Sequence, residues 1–318
     1  MSNLILKRRL FDEVLLEPAK DFEKLCIVSG FASPSMVTHH LSAVKEKYKP
    51  DGISINLIVG MVYAERISKT HHLNFKKLAE EQEGFKCSYN IKEPAIHSKI
   101  YIWLKNEEPQ RAFVTSANYS IQAFIKNQDE IATECDPKEA FDYYNSVVSS
   151  SIYCTHNGAE DFISVDNIHR VSGENQVTEE KNSYNKVELP LYCVRNNKIH
   201  SRSGLNWGQR PGRDKNQAYI PVPATIAKTD FFPPPKVQFC VLTDDGIPLI
   251  CVRAQDSAKA IHTTYNNSEL GLYFRKKLGL QSGEFVKLDD LDRYGNRHVI
   301  FHKLNEDEYY MEFTRGQE

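Results

Sequence analysis

The sequence lacks long hydrophobic runs, and no apolar stretch among its 318 residues approaches the ~20 residues that a membrane-spanning helix needs. The N-terminal segment also lacks the apolar core of a signal peptide, because charged residues begin at Lys7. These two absences argue against an integral membrane protein. They predict a cytoplasmic location with no membrane partner.

Cysteine is sparse and shows no pairing pattern. The 7 cysteines are scattered, none forms a C-x-x-C pair, and their odd number disfavours both a zinc site and a disulfide framework. The pairs His39-His40 and His71-His72 make poor joint metal ligands, because adjacent side chains on a helix point about 100° apart. No H-E-x-x-H motif accompanies them. We therefore predict no metal and no cofactor, and a solvated helix surface for both histidine pairs.

A strong net charge is also missing, since the formal charge at pH 7 is only −2. The number of Lys and Arg minus the number of Asp and Glu is −5 for residues 1–188 and +3 for residues 189–318. Polyanions are attracted to basic surfaces. The later part of the chain is therefore the better candidate for binding one.

The sequence does contain a clear change of pattern along its length. Residues 1–171 alternate short apolar strands with helices, which predicts an α/β sandwich with a mixed sheet flanked by helices. Residues 172–188 are polar and charged, as expected of a linker. Residues 189–318 hold many short apolar runs, 285–288 among them, and one helical stretch at about 268–278. This last pattern predicts a β-barrel-like domain.

Four polar residues of the first part stand out by their spacing. His97 and Lys99 lie two apart on one predicted strand. Ser116 and Asn118 are spaced in the same way on the next predicted strand. Alternate residues of a strand point to the same side, so an imidazole, an ammonium, a hydroxyl and an amide should surround one small space. These groups suit a phosphodiester, with a nitrogen nucleophile for phosphorus and donors for the non-bridging oxygens.

The order H-x-K, S-x-N and then an acid resembles the phospholipase D superfamily over roughly residues 20–150. The resemblance implies that His97 forms a phosphohistidine, which water then displaces. It implies that Lys99 and Asn118 bind the non-bridging oxygens and that Ser116 steadies the pocket. Because the ammonium and the amide neutralise the developing charge, the reaction should need no metal.

An acid that holds the imidazole tautomer completes the expected site. Spacing alone leaves this acid open between Asp129 and Glu130. The resemblance favours Glu130, because relatives use glutamate there.

Three features depart from the superfamily pattern. The chain has a single H-x-K where catalysis in the superfamily uses two histidines, so we expect a homodimer with His97 of each subunit at a shared two-fold site. Thr115 stands where many relatives have glycine. The aspartate that usually follows the lysine is missing from residues 100–106, which favours a nuclease over a lipase, since nuclease members commonly lack it.

The second part contains a basic segment at 195–215, with six Lys and Arg against Asp214 alone and with polar residues and tryptophan interleaved. Such side chains hold phosphates and contact base edges. A further basic cluster at 265–277 has a competing explanation, since basic residues also favour the C-terminal end of a helix. The candidate DNA-contacting residues are Arg202, Asn206, Trp207, Gln209, Arg210, Arg213, Lys215, Asn266, Asn267, Arg275 and Lys276.

The segments SGLNWGQRPGRDKNQAYIPVP and LGLYFRKKLGL, with the later Tyr-Gly-Asn-Arg turn, resemble a B3-like recognition domain. Such domains occur in type II restriction endonucleases built on a phospholipase-D nuclease. The resemblance implies a β pseudo-barrel that clamps the DNA major groove with two arms, at about 202–215 and 262–277. As partners it implies double-stranded DNA, a separate ATP-dependent translocase in some relatives, and a cognate methyltransferase.

Taken as a whole, the sequence predicts a homodimeric, metal-independent, sequence-specific DNA endonuclease of a restriction system. One alternative is a non-specific nuclease or lipid phosphodiesterase of the phospholipase D superfamily. Another is a DNA-binding regulator whose first domain only dimerises. Incubating a plasmid with the protein in chelator separates the three, through specific cuts, a smear, or binding without cutting.

Overall fold

The computed structural model describes residues 5–7, 9–125, 128–166, 186–254, 258–264 and 266–316. The chain divides into two compact units, Met1–Gly173 and Glu174–Glu318. Of the predicted linker, residues 172–185 lie outside the described ranges, and residues 186–188 belong to a strand. Within the described ranges, no helix is long and apolar enough to cross a membrane.

The first unit alternates strands and helices, as the sequence predicts. Its strands are β1 (Lys24–Ser29), β2 (Ser54–Val59), β3 (Ile67–Ser68), β4 (Phe85–Asn90), β5 (Lys99–Lys105), β6 (Glu108–Thr115), β7 (Ala132–Cys135), β8 (Ser151–Tyr153) and β9 (Val165–Asp166). Its α-helices are α1 (Pro34–Lys47), α2 (Lys69–Glu81), α3 (Ile121–Phe124) and α4 (Pro137–Val148). A π-helix covers Phe11–Leu16, and short 3-10 helices cover Glu17–Lys20 and Ala159–Asp161.

One mixed sheet organises the first unit, with seven strands in the order β7-β6-β5-β1-β2-β4-β8. The strands β1, β2 and β4 are parallel, whereas β5 runs antiparallel to both β1 and β6. The predicted α/β sandwich is thus confirmed. Antiparallel neighbours bring the start of one strand beside the end of the next, and this property decides where the site lies.

Both faces of this sheet are covered. On one face, Ile102 packs in a cluster with Ala140 and Val147 of α4. On the other face, the fully buried Trp103 donates a hydrogen bond to the backbone oxygen of Val14 at 2.8 Å. Because side chains on both faces are buried, the edge where the strands end is the place left for chemistry.

Local chemistry sets the helix starts. Pro34 occupies the first position of α1, where its missing N–H group costs no hydrogen bond. Asp136 precedes α4 and accepts hydrogen bonds from the N–H groups of Lys138 and Glu139, each at 2.9 Å. Such signals lie within one turn of the helix that they start.

The two histidine pairs are not solvated helix surface, which corrects the expectation from the sequence. His40 is fully buried, and its ring bonds the Tyr119 hydroxyl at 3.0 Å and the Leu15 carbonyl oxygen at 2.8 Å. His72 is also buried, and its ring bonds the Tyr89 hydroxyl at 3.0 Å. Burial lowers the pKa of His40 to about 4 and lowers the pKa of His72 as well. These imidazoles are neutral hydrogen-bonding parts of the core.

The second unit is built mainly from strands. They are β10 (Lys186–Pro190), β11 (Ile220–Pro221), β12 (Gln238–Thr243), β13 (Pro248–Ala254), β14 (Ala260–Thr263), β15 (His298–Lys303) and β16 (Glu308–Glu312). Its helices are a 3-10 helix (Gly204–Gln209), α5 (Ala224–Ala227), α6 (Glu269–Leu278) and α7 (Leu288–Tyr294). The strands form one sheet in the order β10-β15-β16-β12-β13-β14-β11. This barrel-like architecture confirms the predicted fold of the second domain.

The core of the second unit is rich in aromatic rings. Phe232, Phe239, Phe301 and Tyr309 are all buried, and the ring centroids of contacting pairs lie 5.1–5.8 Å apart. Aromatic pairs at such distances contribute more to stability than their buried area alone. The second unit therefore has its own tightly packed core.

The apolar run at 285–288, which the barrel-like pattern counts among its short strands, does not form a strand. Leu288 instead begins α7, and the Asp290 carboxylate accepts a hydrogen bond from the N–H group of Lys287 at 2.8 Å at the start of that helix. An apolar run of four residues does not by itself distinguish a strand from the entry to a helix. The capping carboxylate decides the outcome here.

Candidate active site and nucleic-acid interface

The ends of three strands meet at one edge of the sheet in the first unit. Ser29, the last residue of β1, pairs with Lys99, the first residue of β5. Ile100 pairs with Val114 near the end of β6. Since β5 runs antiparallel to both neighbours, the segment before β5 and the segment after β6 leave the sheet side by side. These two segments carry the H-x-K and S-x-N motifs.

The placement differs in detail from the prediction that both motifs lie on strands. His97 precedes β5, and Ser116 and Asn118 follow β6. Ala117 between them is fully buried, whereas Ser116 is exposed and Asn118 is half-buried. Side-chain exposure therefore alternates along residues 116–118 as it does in a strand, although these residues lie beyond the end of β6. The site is assembled by the ends of strands, not by their middles.

Lys99 lies directly against His97. Its Nζ is 3.1 Å from each ring nitrogen of His97 and 2.7 Å from the His97 carbonyl oxygen. The His97 side chain is exposed, whereas Lys99 is only 6% exposed. Burial lowers the pKa of Lys99, and the Glu130 carboxylate opposes that shift. A buried ammonium beside an exposed imidazole can bind a phosphate oxygen while the ring stays open to attack phosphorus.

The loop after β1 orients Asn118. The backbone N–H of Phe31 donates to Oδ1 of Asn118 at 3.1 Å, so the NH2 group is the part of the amide left to meet a ligand. Gly30 lies close to both motifs, because a Cβ there would stand 3.1 Å from Cδ2 of His97 and 3.4 Å from Oδ1 of Asn118. We did not predict Gly30 as a site residue. Its signal in the sequence is the Ser29-Gly30 step that ends an apolar strand.

Ser116 binds the acid of the site. Its hydroxyl donates to the Glu130 carboxylate and accepts a hydrogen bond from the N–H group of Ile131 at 3.0 Å. Glu130 is 7% exposed and Asp129 is exposed, so Glu130 is the acid that lies in the site. The carboxylate reaches Ser116 and not the ring of His97, contrary to the expected tautomer-holding contact. Within one chain, the acid positions the serine.

Exposed apolar side chains border the site. The Phe31 ring packs edge-on against the His97 imidazole, with centroids 6.0 Å apart and planes at 79°. The Tyr143 hydroxyl lies 2.8 Å from the Ser98 hydroxyl. Four side chains in or next to the site segments, each 36–46% exposed, are here called the apolar rim: Phe31, Val114, Ile131 and Tyr143. Exposed apolar groups near a site are typical of a surface that binds another molecule.

Most of the predicted DNA-contacting residues of the second unit are accessible. The exposed ones are Arg202, Arg210, Arg213, Lys215, Asn266 and Lys276, and Trp207 and Asn267 are half-buried. The guanidinium of Arg213 lies over the Trp207 ring, 4.3 Å from its centroid. Residues 210–215, here called the basic loop, are all exposed. This loop is the continuously exposed part of the predicted first arm.

Arg275 lies inside the second unit and not on its surface. Its side chain is 1% exposed, and its guanidinium donates to the backbone oxygens of Lys215 at 3.0 Å and Glu284 at 2.8 Å. A third bond reaches the backbone oxygen of Gly271 at 3.2 Å. Burial lowers the pKa of Arg275, and the carbonyl groups satisfy its donors. The prediction of a DNA contact is therefore revised, because Arg275 fastens the basic loop to α6.

Asn206 and Gln209 also hold the first arm in place. Asn206 is fully buried and bonds both backbone groups of Val286, the oxygen at 2.8 Å and the nitrogen at 2.9 Å. Gln209 donates to the backbone oxygen of Gly283 at 3.0 Å. Buried amides whose groups are used by the backbone stabilise a fold. Asn206 is likewise revised from a DNA contact to a support of the arm, whereas the half-buried Gln209 stays a predicted DNA contact.

Solved structures that resemble the chain are distant from it. NucT from Helicobacter pylori is 15% identical, with a TM-score of 0.34, over 48% of this chain and 98% of that chain. Nuc from Salmonella typhimurium, a phospholipase D family member, is 14% identical, with a TM-score of 0.34, over 48% of this chain and 97% of that chain. Phosphatidylserine synthase from Haemophilus influenzae is 14% identical, with a TM-score of 0.37, over 53% of this chain and 42% of that chain. No curated protein sequence matches the chain at a significant level.

Two family models match the chain in succession. Residues 8–161 match the NgoFVII restriction endonuclease N-terminal PLD domain. Residues 178–305 match the NgoFVII C-terminal B3-like DNA-binding domain. The first match contains the H-x-K and S-x-N motifs, and the second contains the basic loop. The chain is a nuclease that hydrolyses phosphodiester bonds with a phospholipase-D-type domain, and it also has a B3-like DNA-binding domain. It belongs to the NgoFVII restriction endonuclease family.

Proposed function

We propose that this protein is a homodimeric, site-specific DNA endonuclease that cleaves phosphodiester bonds through His97 without a divalent metal ion. The observation that carries the proposal is the meeting of the H-x-K and S-x-N segments at one edge of the sheet. The proposal has two parts. The first unit, from here the nuclease unit, performs the chemistry, and the second, the DNA-binding unit, chooses the sequence.

The chemistry starts from the exposed ring of His97. A ring nitrogen attacks phosphorus, so an N–P bond forms while the bond from phosphorus to the leaving sugar oxygen breaks. Water then attacks the phosphohistidine, which frees the imidazole and leaves a phosphate on the DNA end. Lys99 and the NH2 group of Asn118 bind the non-bridging oxygens, and Ser116 is held beside them by Glu130. These donors are in place before charge develops on phosphorus, which is the main source of such catalysis.

The donor set supports a reaction that needs no metal. In metal-dependent nucleases, bound cations clamp the phosphate oxygens. Here the ammonium of Lys99 supplies the positive charge beside His97. The buried carboxylate of Glu130 is engaged by the Ser116 hydroxyl. A phosphate that enters this site therefore meets a cation supplied by the chain itself.

The leaving sugar oxygen needs a proton, so the reaction uses a second histidine as the acid. Each chain contains only one H-x-K motif. A second copy of the chain supplies the second His97, protonated, across a two-fold axis. After donating its proton, that imidazole can take one from the attacking water. The apolar rim around the site supports this arrangement, because a partner chain covering the site would bury it.

The DNA-binding unit supplies the choice of sequence. Arginine can bond a guanine edge through two hydrogen bonds, and lysine holds phosphates. Arg210, Arg213 and Lys215 present such groups on the basic loop. A separate ATP-dependent translocase and a cognate methyltransferase, implied by the family resemblance, complete the proposed restriction system.

The test of the chemistry is digestion of a sequenced plasmid in EDTA. We expect fixed cut positions, the same with and without Mg²⁺, and no cuts from His97→Ala. Labelled DNA should become attached to the wild-type protein through an acid-labile bond and not to the variant. Asp129→Asn is the matched control, because this neighbouring acid is exposed whereas Glu130 is buried, and it should cut like the wild type.

Each other outcome of the digestion has a definite meaning. Cleavage that stops in EDTA would contradict the metal-independent reaction. Cuts without fixed positions would favour a non-specific nuclease, and binding without cuts would favour a regulator. A wild-type rate for His97→Ala would remove this residue from the mechanism.

The dimer has a separate test in a pair of exposed valines. Val114 belongs to the apolar rim and is 42% exposed, whereas Val148, at the end of α4, is 45% exposed. We expect Val114→Lys to convert dimers to monomers in sedimentation and to lose cleavage together with dimerisation. Val148→Lys should remain dimeric and active. A monomeric wild type that cuts in EDTA would overturn the shared site.

A further inference from the structure

The carbonyl group of Ala117 receives two hydrogen bonds from side chains. Ala117 lies between Ser116 and Asn118, outside the strand ladder, and is fully buried. Its carbonyl oxygen accepts one bond from the Tyr101 hydroxyl at 2.9 Å and another from the Thr115 hydroxyl at 2.9 Å. One bond would satisfy a buried carbonyl. Two donors from different strands also restrict the rotation of the peptide plane that joins Ala117 to Asn118.

Both donors belong to the sheet that carries Lys99. Tyr101 lies two residues after Lys99 on β5 and is fully buried, and Thr115 is the last residue of β6 and is 8% exposed. Burial raises the pKa of Tyr101 well above its ordinary value, so its hydroxyl remains a donor at any working pH. The strand that places the ammonium therefore also places the Ala117 carbonyl.

The far end of the same segment is fixed as well. The N–H group of Tyr119 donates to the Ser29 hydroxyl at 2.9 Å, and its carbonyl accepts a bond from the N–H group of Ser33 at 3.0 Å. The peptide between Ala117 and Asn118 is thus held from both sides. The direction of the Asn118 side chain follows from the orientation of this peptide.

We propose that Tyr101 and Thr115 are positioning residues of the nuclease reaction, which act by fixing the Ala117 carbonyl so that Ser116 and Asn118 face the same phosphate. The inference rests on the proposed function. It gives a role to Thr115, the position where the resemblance leads one to expect glycine. In this chain the threonine hydroxyl bonds the Ala117 carbonyl just beyond the end of β6.

The first test removes the hydroxyls one at a time, with Tyr101→Phe and Thr115→Val. We expect kcat for a specific DNA to fall roughly 10- to 100-fold, since small displacements of catalytic groups have effects of this size. DNA affinity should not change, because the DNA-binding unit is untouched. Thr115→Ser keeps a hydroxyl and should restore most of the rate. Tyr89→Phe is the matched control, because this buried tyrosine bonds His72 and not the site.

The second test asks whether the effect passes through Asn118. In an Asn118→Ala background, Tyr101→Phe should lower kcat much less than in the wild type, because the group being positioned has been removed. An equal loss in both backgrounds, or a loss that tracks the folded fraction seen in thermal melting, would overturn the positioning role. Should one single variant not fold, the other decides alone.

The outcome is separable from that of the proposed function. If His97→Ala loses cleavage and both Tyr101→Phe and Thr115→Val cut at the wild-type rate, the positioning role fails while the proposed reaction stands. If His97→Ala still cuts, the proposed reaction itself fails.

Discussion

The two units use polar side chains in different ways. In the nuclease unit, the residues of the sequence motifs form the candidate site, and the exposed His97 lies against the buried Lys99. In the DNA-binding unit, residues of one chemical type divide into exposed side chains such as Arg213, which is proposed to contact DNA, and buried supports such as Arg275. In the nuclease unit, the strand ends place the candidate catalytic groups directly. The basic loop is instead supported from inside the unit by Arg275, a residue of the type proposed to bind DNA.

The largest expected effect lies on the nuclease side of this comparison. We expect His97→Ala to lower single-turnover cleavage by roughly 10⁴-fold or more, because the nucleophile is lost. DNA affinity, measured by fluorescence anisotropy, should stay the same. His156→Ala, at an exposed histidine of the same unit, serves as control and should cut normally. Equal losses in both histidine variants would show that the effect is not specific to the site.

A smaller effect separates support from contact in the DNA-binding unit. Arg275→Met should lower the free energy of unfolding by about 3 kcal/mol, because it leaves several buried carbonyl groups without their charged donor. Lys276→Met, at the exposed neighbour, should change stability by less than about 0.5 kcal/mol. Urea unfolding of both variants measures the difference. If Arg275→Met is as stable as the wild type but binds DNA weakly, Arg275 is a DNA contact and not a structural support.

The pH dependence of stability should also differ between the units. The pKa of His40 is lowered from 6.5 to about 4 by burial, so the folded state holds the neutral ring and the unfolded state binds a proton first. The contribution of His40 is therefore complete above pH 6.5 and is lost as pH falls towards 4, up to about 3 kcal/mol. Among the described histidines of the DNA-binding unit, none is fully buried.

Thermal melting between pH 7 and pH 4 tests this expectation. The nuclease unit should lose stability on acidification before the DNA-binding unit does. His40→Gln should flatten the pH dependence of the nuclease unit, because glutamine does not titrate in this range. An unchanged slope in this variant would assign the acid sensitivity to other groups.

The smallest expected effect concerns a single exposed contact. Arg213→Ala should weaken binding to the specific sequence by about 1–3 kcal/mol if the guanidinium contacts a base. Arg293→Ala removes an arginine outside both arms that is paired with Asp290, and it should bind normally. Titrations at two salt concentrations separate a base contact from a phosphate contact, which would weaken specific and non-specific DNA alike. Wild-type affinity for Arg213→Ala would move the contact elsewhere.

The fold classes and the meeting of the two sequence motifs could be predicted because their signals are local. The H-x-K and S-x-N motifs each span three residues. Pro34 and Asp136 each lie within one turn of the helix start that they favour. The choice between Asp129 and Glu130 was not accessible in this way. It depends on which acid reaches Ser116, a contact across 14 residues that the ends of β6 and β7 create.

Burial of polar residues was the part that the sequence did not reveal. Asn206 bonds Val286 across 80 residues, and His40 bonds Tyr119 across 79 residues. A periodic pattern within a helix or loop contains no information about such distant partners. For the same reason, Arg275 and Lys276 look alike in the sequence, although only one of them is exposed.

The stacking of Arg213 on Trp207 has a practical consequence for watching this protein at work. The chain has two tryptophans, and the other, Trp103, is sealed in the nuclease unit. In a Trp103→Phe variant, the remaining tryptophan fluorescence would come from Trp207, whose ring lies under the Arg213 guanidinium that is expected to contact DNA. Movement of that guanidinium towards a base would change the fluorescence. The change in Trp207 fluorescence would then measure the rate of DNA recognition separately from the rate of strand cleavage, in a sample that needs no added label.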